Sequence, residues 1–163
     1  MAIDVYLQLD GIKGESTDSS HKDWIECQSV SWEVLQPKSA TASTGGGHTA
    51  ERTEHRDIVI AKLADLATPL LLQNCSSGKT LGKAKIEFLR ADGQGDRIKY
   101  FEIDLDNVII SSVAPTVSQG DILTESLSLK YSKVKWKYTQ QKIGGGAGGN
   151  TSGGWDLATN KTA

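Results

Sequence analysis

The sequence predicts a mainly β protein, an antiparallel sandwich or barrel of short strands with one short helix. Three observations lead to this fold class. Apolar and polar residues alternate in many short segments, which is the period of a half-buried strand. Turn residues such as glycine, proline and aspartate separate these segments, and only one segment has helical spacing. Many short strands with turns between them are typical of an all-β domain.

The first strands are predicted from this alternation. Apolar residues fill every second position at the start of the chain: Ile3, Val5, Leu7 and Leu9. Gly11 and Gly14 end this first strand. A second strand is predicted around Trp32, where Val30 and Val34 share its phase, and it stops before Pro37.

The segment from Pro37 to Arg56 has almost no apolar side chain and contains a glycine triplet. Nothing in it can fix the segment onto a core. At about 20 residues it is long for a connection inside one domain, and loops of that length are usually functional or disordered. A short strand at Ile58 and Ile60 follows it.

One helix is predicted between Asp65 and Ser77, with Leu66 and Leu70 on a shared face. Pro69 is tolerated because it falls in the first turn, with Asp65 or Thr68 as the N-cap. Gly78 supplies the C-terminal stop.

Four further strands are predicted at residues 84–89, 98–105, 108–113 and from 123 onward. In the last of these the apolar phase changes between Tyr131 and Val134. A one-residue slip sends side chains to the opposite face, so either a β-bulge lies near Ser132 or two strands meet there. We therefore expect one domain, with a barrel at 1–143 that includes the extended loop 37–56. Residues 144–163 are predicted to form a glycine-rich flexible linker and a C-terminal segment of the same domain.

Composition excludes several classes of function. The formal net charge is -2, which argues against a nucleic-acid binder. No apolar run approaches the roughly 20 residues of a membrane span, and the first residues do not form a signal peptide. We expect a cytoplasmic protein whose export, if any, needs no such leader. Cys27 and Cys75 are predicted to be free, half-buried thiols, and the histidines lack the spacing of a metal site.

No catalytic set and no cofactor site emerge from the motifs. Lys79 follows a glycine in a pattern that resembles the end of a P-loop, but it lacks the earlier glycine and the strand-to-helix context. The three histidines lie in polar segments and are predicted to be solvated. Asp104 and Asp106 are predicted on an exposed sheet face rather than as an acid/base pair. A basic stripe is explained either by protection of a strand edge or by contact with acidic groups of a neighbouring subunit: Lys130, Lys133, Lys135 and Lys137.

Six sequence motifs, found in the same order as in a known protein family, are spread over nearly the whole chain. They are MAIDVYLQLDGIKGES at the start, Val30–Trp32, Thr68–Lys79, Val108–Val113, Leu123–Leu129 and Gly154–Leu157 followed by Asn160. Together they resemble the haemolysin-coregulated protein (Hcp) family, the tube subunit of bacterial type VI secretion.

The resemblance implies an antiparallel β-barrel of two curved sheets with one short α-helix, assembling as a homohexameric ring. Stacked rings would form a tube that works with spike and sheath proteins, is expelled without a signal peptide and carries small effector proteins in its lumen. It implies ring contacts through the extended loop: Ser43, Thr44, Gly45, Gly46, Gly47, His48 and Thr49. It implies lumen contacts from the loop 114–120: Thr116, Ser118 and Gln119. It implies no enzyme activity, no cofactor, no nucleic acid, no membrane insertion and no fused C-terminal toxin domain.

Two rival functions stay open at this point. The first is a monomeric small-ligand-binding β-barrel, which predicts a large apolar cavity. The second is a barrel hydrolase that uses Asp104 or a histidine, against which the absence of a nucleophile–base signature argues.

Overall fold

The computed structural model describes residues 3–37 and 52–163. These residues form twelve strands and one helix. In chain order they are β1 Ile3–Leu9, β2 Ile25–Cys27, β3 Ser29–Ser31, β4 Val34–Leu35, β5 Glu54–His55, β6 Ile58–Leu63, α1 Thr68–Ser77, β7 Thr80–Ala91, β8 Arg97–Thr116, β9 Thr124–Lys130, β10 Lys133–Gln141, β11 Ala147–Asp156 and β12 Lys161–Thr162. The predicted mainly β fold with one short helix is confirmed.

Strand β8 organises the sheet, and every strand pair is antiparallel. One run of neighbours reads β12-β11-β10-β8-β7-β1-β2, and a second run leaves β8 through β9 to β6 and β3. The two runs meet again between β2 and β3, where Gln28 N donates to Ala61 O at 2.8 Å. This closure makes a barrel, from which β10, β11 and β12 extend as a flap of sheet.

The two strands predicted at 98–105 and 108–113 are one strand of 20 residues, β8. Its first half pairs with β7 and β10, and its second half pairs with β9. Asn107 stands where the partner changes, with a positive φ of 52°. Asparagine tolerates this left-handed backbone better than most residues, so the strand turns a corner there without ending.

The phase change near Ser132 is a junction of two strands, the second of the two predicted alternatives. β9 pairs with β6 and β8, whereas β10 pairs with β8 and β11. Ser132 N donates to Asp106 O, and Asn107 Nδ2 donates to Ser132 Oγ at 2.9 Å. These two hydrogen bonds therefore link the junction of β9 and β10 to the corner of β8.

The predicted flexible linker at 144–154 is wrong beyond its first residues. Gly145 and Gly146 form a turn at positive φ, and the chain then continues as strand β11 along β10. Glycine weakens a strand on its own, so the ladder to β10 is what orders this segment. Trp155 lies opposite Val134 and packs against the core, as expected for a docked C-terminal segment.

In helix α1 the predicted places of Pro69 and Gly78 are confirmed, whereas the predicted N-cap and the predicted face are wrong. Pro69 lies in the first turn and Gly78 caps the C-terminus at a φ of 66°. The N-cap is Ala67, whose N–H donates to Asp65 Oδ1, so neither predicted residue occupies that position. Ala67 and Leu71 are fully buried, while Leu66 is 68% exposed and Leu70 is also exposed.

Side chains fill the barrel. Residues from seven strands and the helix form one apolar cluster, whose members include Leu7, Ile25, Ile60, Leu71, Ile86, Ile103, Leu127 and Leu129. Each of these eight is fully buried. The large interior cavity that the ligand-binding rival requires is therefore not found among the described residues. Those residues also include no helix long and apolar enough to cross a bilayer.

Candidate assembly surfaces

The outer surface of β3, β6, β9 and the end of β8 carries mostly uncharged side chains, and Lys130 at the end of β9 is the charged exception. Strand register places the uncharged ones side by side: Ser29 and Ser31; Val59, Ala61 and Leu63; Thr124, Ser126 and Ser128; Ser112, Ala114 and Thr116. We call this set the hydroxyl face. No member is charged, and all are exposed or half-buried. It offers hydroxyl groups and methyl groups but little to hold a partner strongly.

Thr116 was predicted in a loop, but it is the last residue of strand β8. It pairs with Thr124 and so belongs to the hydroxyl face. Ser118 and Gln119 lie in the following turn, closed by a hydrogen bond from Asp121 N to Ser118 O at 2.9 Å. All three side chains are exposed. The structure brings the predicted lumen residues to one end of the hydroxyl face, and their role stays a prediction.

The outer surface of β7, β10 and the first half of β8 carries charged side chains that form rows across the strands. Asp104 and Asp106 of β8 lie between lysines of both neighbouring strands, and Glu102 lies between Glu87 and Lys137, so we call it the charged face. Asp104, for example, lies opposite both Lys85 and Lys135. β10 is not an edge strand, so edge protection does not explain its lysines. Acids of the same chain face them.

The tips of two hairpins are joined at one end of the barrel. The Asp92 carboxylate accepts from Gln94 N at 2.8 Å in its own turn and from Gly146 N at 3.3 Å in the neighbouring turn. Gln94 Nε2 donates to Gly144 O at 3.0 Å. These backbone donors, Gln94 N first, lower the pKa of Asp92 despite its desolvation. Ile143 projects from the joined tips with its side chain fully exposed.

Strands β4 and β5, between which the predicted extended loop lies in sequence, form a separate two-stranded ladder. Thr53 Oγ1 donates to Leu35 O at 3.1 Å across this ladder. His55 packs between Tyr131 and Trp136, with Nδ1 3.0 Å from the Tyr131 hydroxyl. Burial lowers the pKa of His55. The predicted contact residues Ser43–Thr49 lie outside the described residues.

His21 corrects the prediction of solvated histidines. It is 3% exposed, with Nδ1 2.7 Å from Asp18 Oδ2 and Nε2 2.6 Å from Glu87 Oε2. Its ring stacks on Tyr6 at 4.4 Å. The hydrogen bond with His21 lowers the pKa of Asp18. Burial opposes ionisation of Glu87, yet hydrogen bonds from His21 and Lys99 outweigh it and lower that pKa too. The cluster ties the 10–24 connection to the barrel wall.

Sequence reasoning missed a buried ion pair. Lys62 is 0% exposed and donates from Nζ to Glu125 Oε1 and, at 3.0 Å, to Asp65 Oδ1. Thr68 Oγ1 also donates to Glu125 Oε1, at 3.1 Å. The signal was present in the sequence, because Lys62 shares the apolar phase of Ile60 and Glu125 shares that of its own strand.

Both predicted free thiols are free and half-buried. Burial raises the pKa of Cys27 to about 12, so its reactive thiolate is suppressed. Within 3–37 and 52–163, no three histidine, cysteine or acidic side chains converge as a metal site would need. Asp104 is exposed on the charged face among lysines.

Comparisons with known proteins agree with one another. Residues 6–138 match the family model described as "Type VI secretion system effector, Hcp". The chain is 35% identical to "Protein hcp1" of Pseudomonas aeruginosa over the whole of both proteins. It is 28% identical to the "Major exported protein" of the same species, over 69% of this chain and 72% of that one. A solved type six secretion system protein superposes with a TM-score of 0.91 at 28% identity, covering 99% of this chain and 100% of that one.

Proposed function

The chain belongs to the Hcp family of type VI secretion proteins, and on that premise we propose that six copies close into a ring and that rings stack into a hollow tube. The role is structural and non-enzymatic, and it requires no cofactor. Head-to-tail contacts between identical subunits close into a ring when the rotation from one subunit to the next permits it.

The contrast between the two sheet faces carries the proposal. A tube that passes folded cargo needs an inner wall that binds many surfaces weakly. The hydroxyl face fits this need, because its side chains are uncharged and most of them are short. The charged face would adhere to any complementary patch and suits the outside of the tube better. We therefore assign the hydroxyl face, together with Thr116, Ser118 and Gln119, to the lumen.

The joined tips support a ring-to-ring contact. Two turns that hydrogen-bond to each other form a stiffer projection than either alone, and they present Ile143 at the end of the barrel. An exposed isoleucine on such a projection is suited to insertion into the next ring. Segment Ser43–Thr49 is assigned to contacts between subunits or rings, since it belongs to the long polar connection between β4 and β5, which pair with each other apart from the main sheet.

Cargo and partners follow from this architecture. Small effector proteins would occupy the lumen, a spike would cap the tube, and a sheath would surround it. We expect a cytoplasmic pool and delivery outside the cell without a signal peptide. The similarity to a protein named for its export supports this destination. A monomeric ligand-binding barrel is the less favoured alternative, because apolar side chains fill the described interior.

The test is the absolute mass by light scattering after gel filtration, with negative-stain images of the peak. A mass near six subunits and ring-shaped particles are expected. A mass of one subunit at every concentration would contradict the proposed ring.

The lumen assignment is tested separately with Ser126→Arg, which puts a long cation among the small neighbours Ala61 and Ala114. We expect intact rings that retain less of a co-expressed small effector. Gln8→Arg, an exposed position beside Lys85 near the charged face, is the matched control and should retain cargo normally. Equal retention of the effector by both variants would show that another surface lines the lumen.

A further inference from the structure

Strand β11 has an outer edge that is only partly paired. β10 pairs with one side of it along almost its full length. On the other side β12 pairs with Trp155 and Asp156, and Ala163 N adds a rung to Gly154 O at 3.2 Å. From Ala147 to Gly153 no strand of the described residues pairs with this edge. The edge thus already accepts a strand at one end and is open over the rest.

The hydrogen-bonding phase of the open part follows from its paired end. Gly154 O bonds outward to Ala163, while Leu157 N bonds inward to Ser132 O on the β10 side. Because the direction of the backbone groups alternates along an antiparallel strand, the outward groups belong to Asn150 and Ser152. The alternation is interrupted beyond Asn150, where the register of the ladder to β10 shifts.

Two of the usual protections are absent from this edge, and its one irregularity is the register shift between Ala147 and Asn150. Monomeric proteins blunt open edges with charged side chains, proline or bulges that turn the edge away. Between Ala147 and Trp155 there is no charged residue and no proline. An open edge of this kind needs a pairing partner that is always available to the protein.

One glycine of β11 has no explanation within its own chain. Gly153 has no positive φ, and an added Cβ there would meet nothing within 4 Å, whereas Gly149 lies at the register shift of the ladder. Glycine inside a strand costs stability, and it commonly marks the close approach of another backbone. Trp136 lies opposite Gly153 in the ladder, and the neighbouring Tyr138 is 46% exposed. Aromatic surface therefore borders the open space.

We propose that a strand from a second copy of this chain adds to the β11 edge in line with β12. Its backbone pairs with Asn150 and Ser152, and a side chain lies over Gly153 against Trp136 and Tyr138. A second copy is the occupant because it is always present in equal amount, and because the uncharged edge does not repel an identical subunit. The inference rests on the proposed ring and names one of its contacts.

The experiment compares the double variant Asn150→Pro/Ser152→Pro with Asn150→Ala/Ser152→Ala. Proline removes the outward N–H groups and leaves the ladder to β10 intact, whereas alanine keeps them. Loss of two net hydrogen bonds should raise the concentration for half-assembly about 30-fold or more in the proline variant, with the alanine variant unchanged. Thermal unfolding at high dilution reports whether the barrel itself is intact.

Amide exchange of the wild type provides the second measurement and covers a proline variant that fails to fold. Protection of Asn150 and Ser152 should appear with assembly and disappear on dilution. Rings that form equally well from the proline variant overturn this inference and leave the proposed ring standing. Protection that is independent of concentration also overturns it, since the cover then comes from the same subunit. A wild type that never assembles removes the ring and this contact together.

Discussion

Replacing Lys62 with methionine tests whether the buried ion pair organises the start of the helix. Methionine keeps the length of the side chain but removes the ammonium group. Glu125 then loses its cation inside the barrel and Asp65 loses a hydrogen-bond donor. The side chains of Lys62 and Glu125 are each 0% exposed, so water cannot replace what is lost.

The expected loss is about 3–5 kcal/mol of unfolding free energy, the usual cost of leaving one member of a buried pair uncompensated. A domain of this size has a total stability of about 5–15 kcal/mol, so the loss is a large fraction. With a urea slope near 2 kcal/mol/M, the midpoint should fall by about 1.5–2.5 M. The double variant Lys62→Met/Glu125→Met should recover most of this, because two apolar groups then replace the pair.

Urea unfolding followed by tryptophan fluorescence measures the effect at one fixed protomer concentration, since assembly also stabilises the fold. Lys85→Met is the matched control: its ammonium is partly exposed and lies 3.8 Å from Glu87 and 3.9 Å from Asp104. Such a contact contributes at most about 1 kcal/mol. If Lys62→Met costs no more than Lys85→Met, the lysine is not held as described and the argument fails.

Three further outcomes are expected. Deleting Ser43–Glu51 should weaken ring closure or stacking while thermal unfolding of the barrel stays unchanged, and unaltered assembly by light scattering would contradict the assigned contact. The carboxylates of Asp18 and Glu87 have lowered pKa values in the fold, so their stabilisation is present above their ordinary values near pH 4 and is lost as the pH falls through the lowered ones. His21→Gln should therefore make the stability less sensitive to acid below about pH 4.5, and an identical pH profile would show that the imidazole does not hold the two acids. Asn107→Val should cost about 1–2 kcal/mol at its positive φ while Asn107→Gly is tolerated, and equal urea midpoints for the two would mean that the corner carries no strain.

The elements that were predicted well have signals within a few residues. Alternation placed β1 within its observed limits, and Pro69 and Gly78 marked the two ends of the helix. Such features depend on side-chain period and backbone preference, which are local. The family resemblance was equally readable, because its motifs are short and ordered along the chain.

Most of the errors outside the helix share one cause, which is pairing between distant segments. The glycines at 147–154 look like a linker until β10 supplies a ladder for them. His21 looks solvated until Glu87, 66 residues away, provides a buried partner. The assembly surfaces belong to the same class, because each is a set of neighbours across three or four strands.

By itself, the sequence determined the fold class, the family, the single helix and the absence of a recognisable catalytic motif. Only the tertiary structure decided the register of the strands, which gathers scattered serines into the hydroxyl face and sets lysines beside acids on the charged face. The physical reason is that alternation along a strand fixes which side chains point outward. Which outward side chains become neighbours depends on the pairing of strands far apart in the chain.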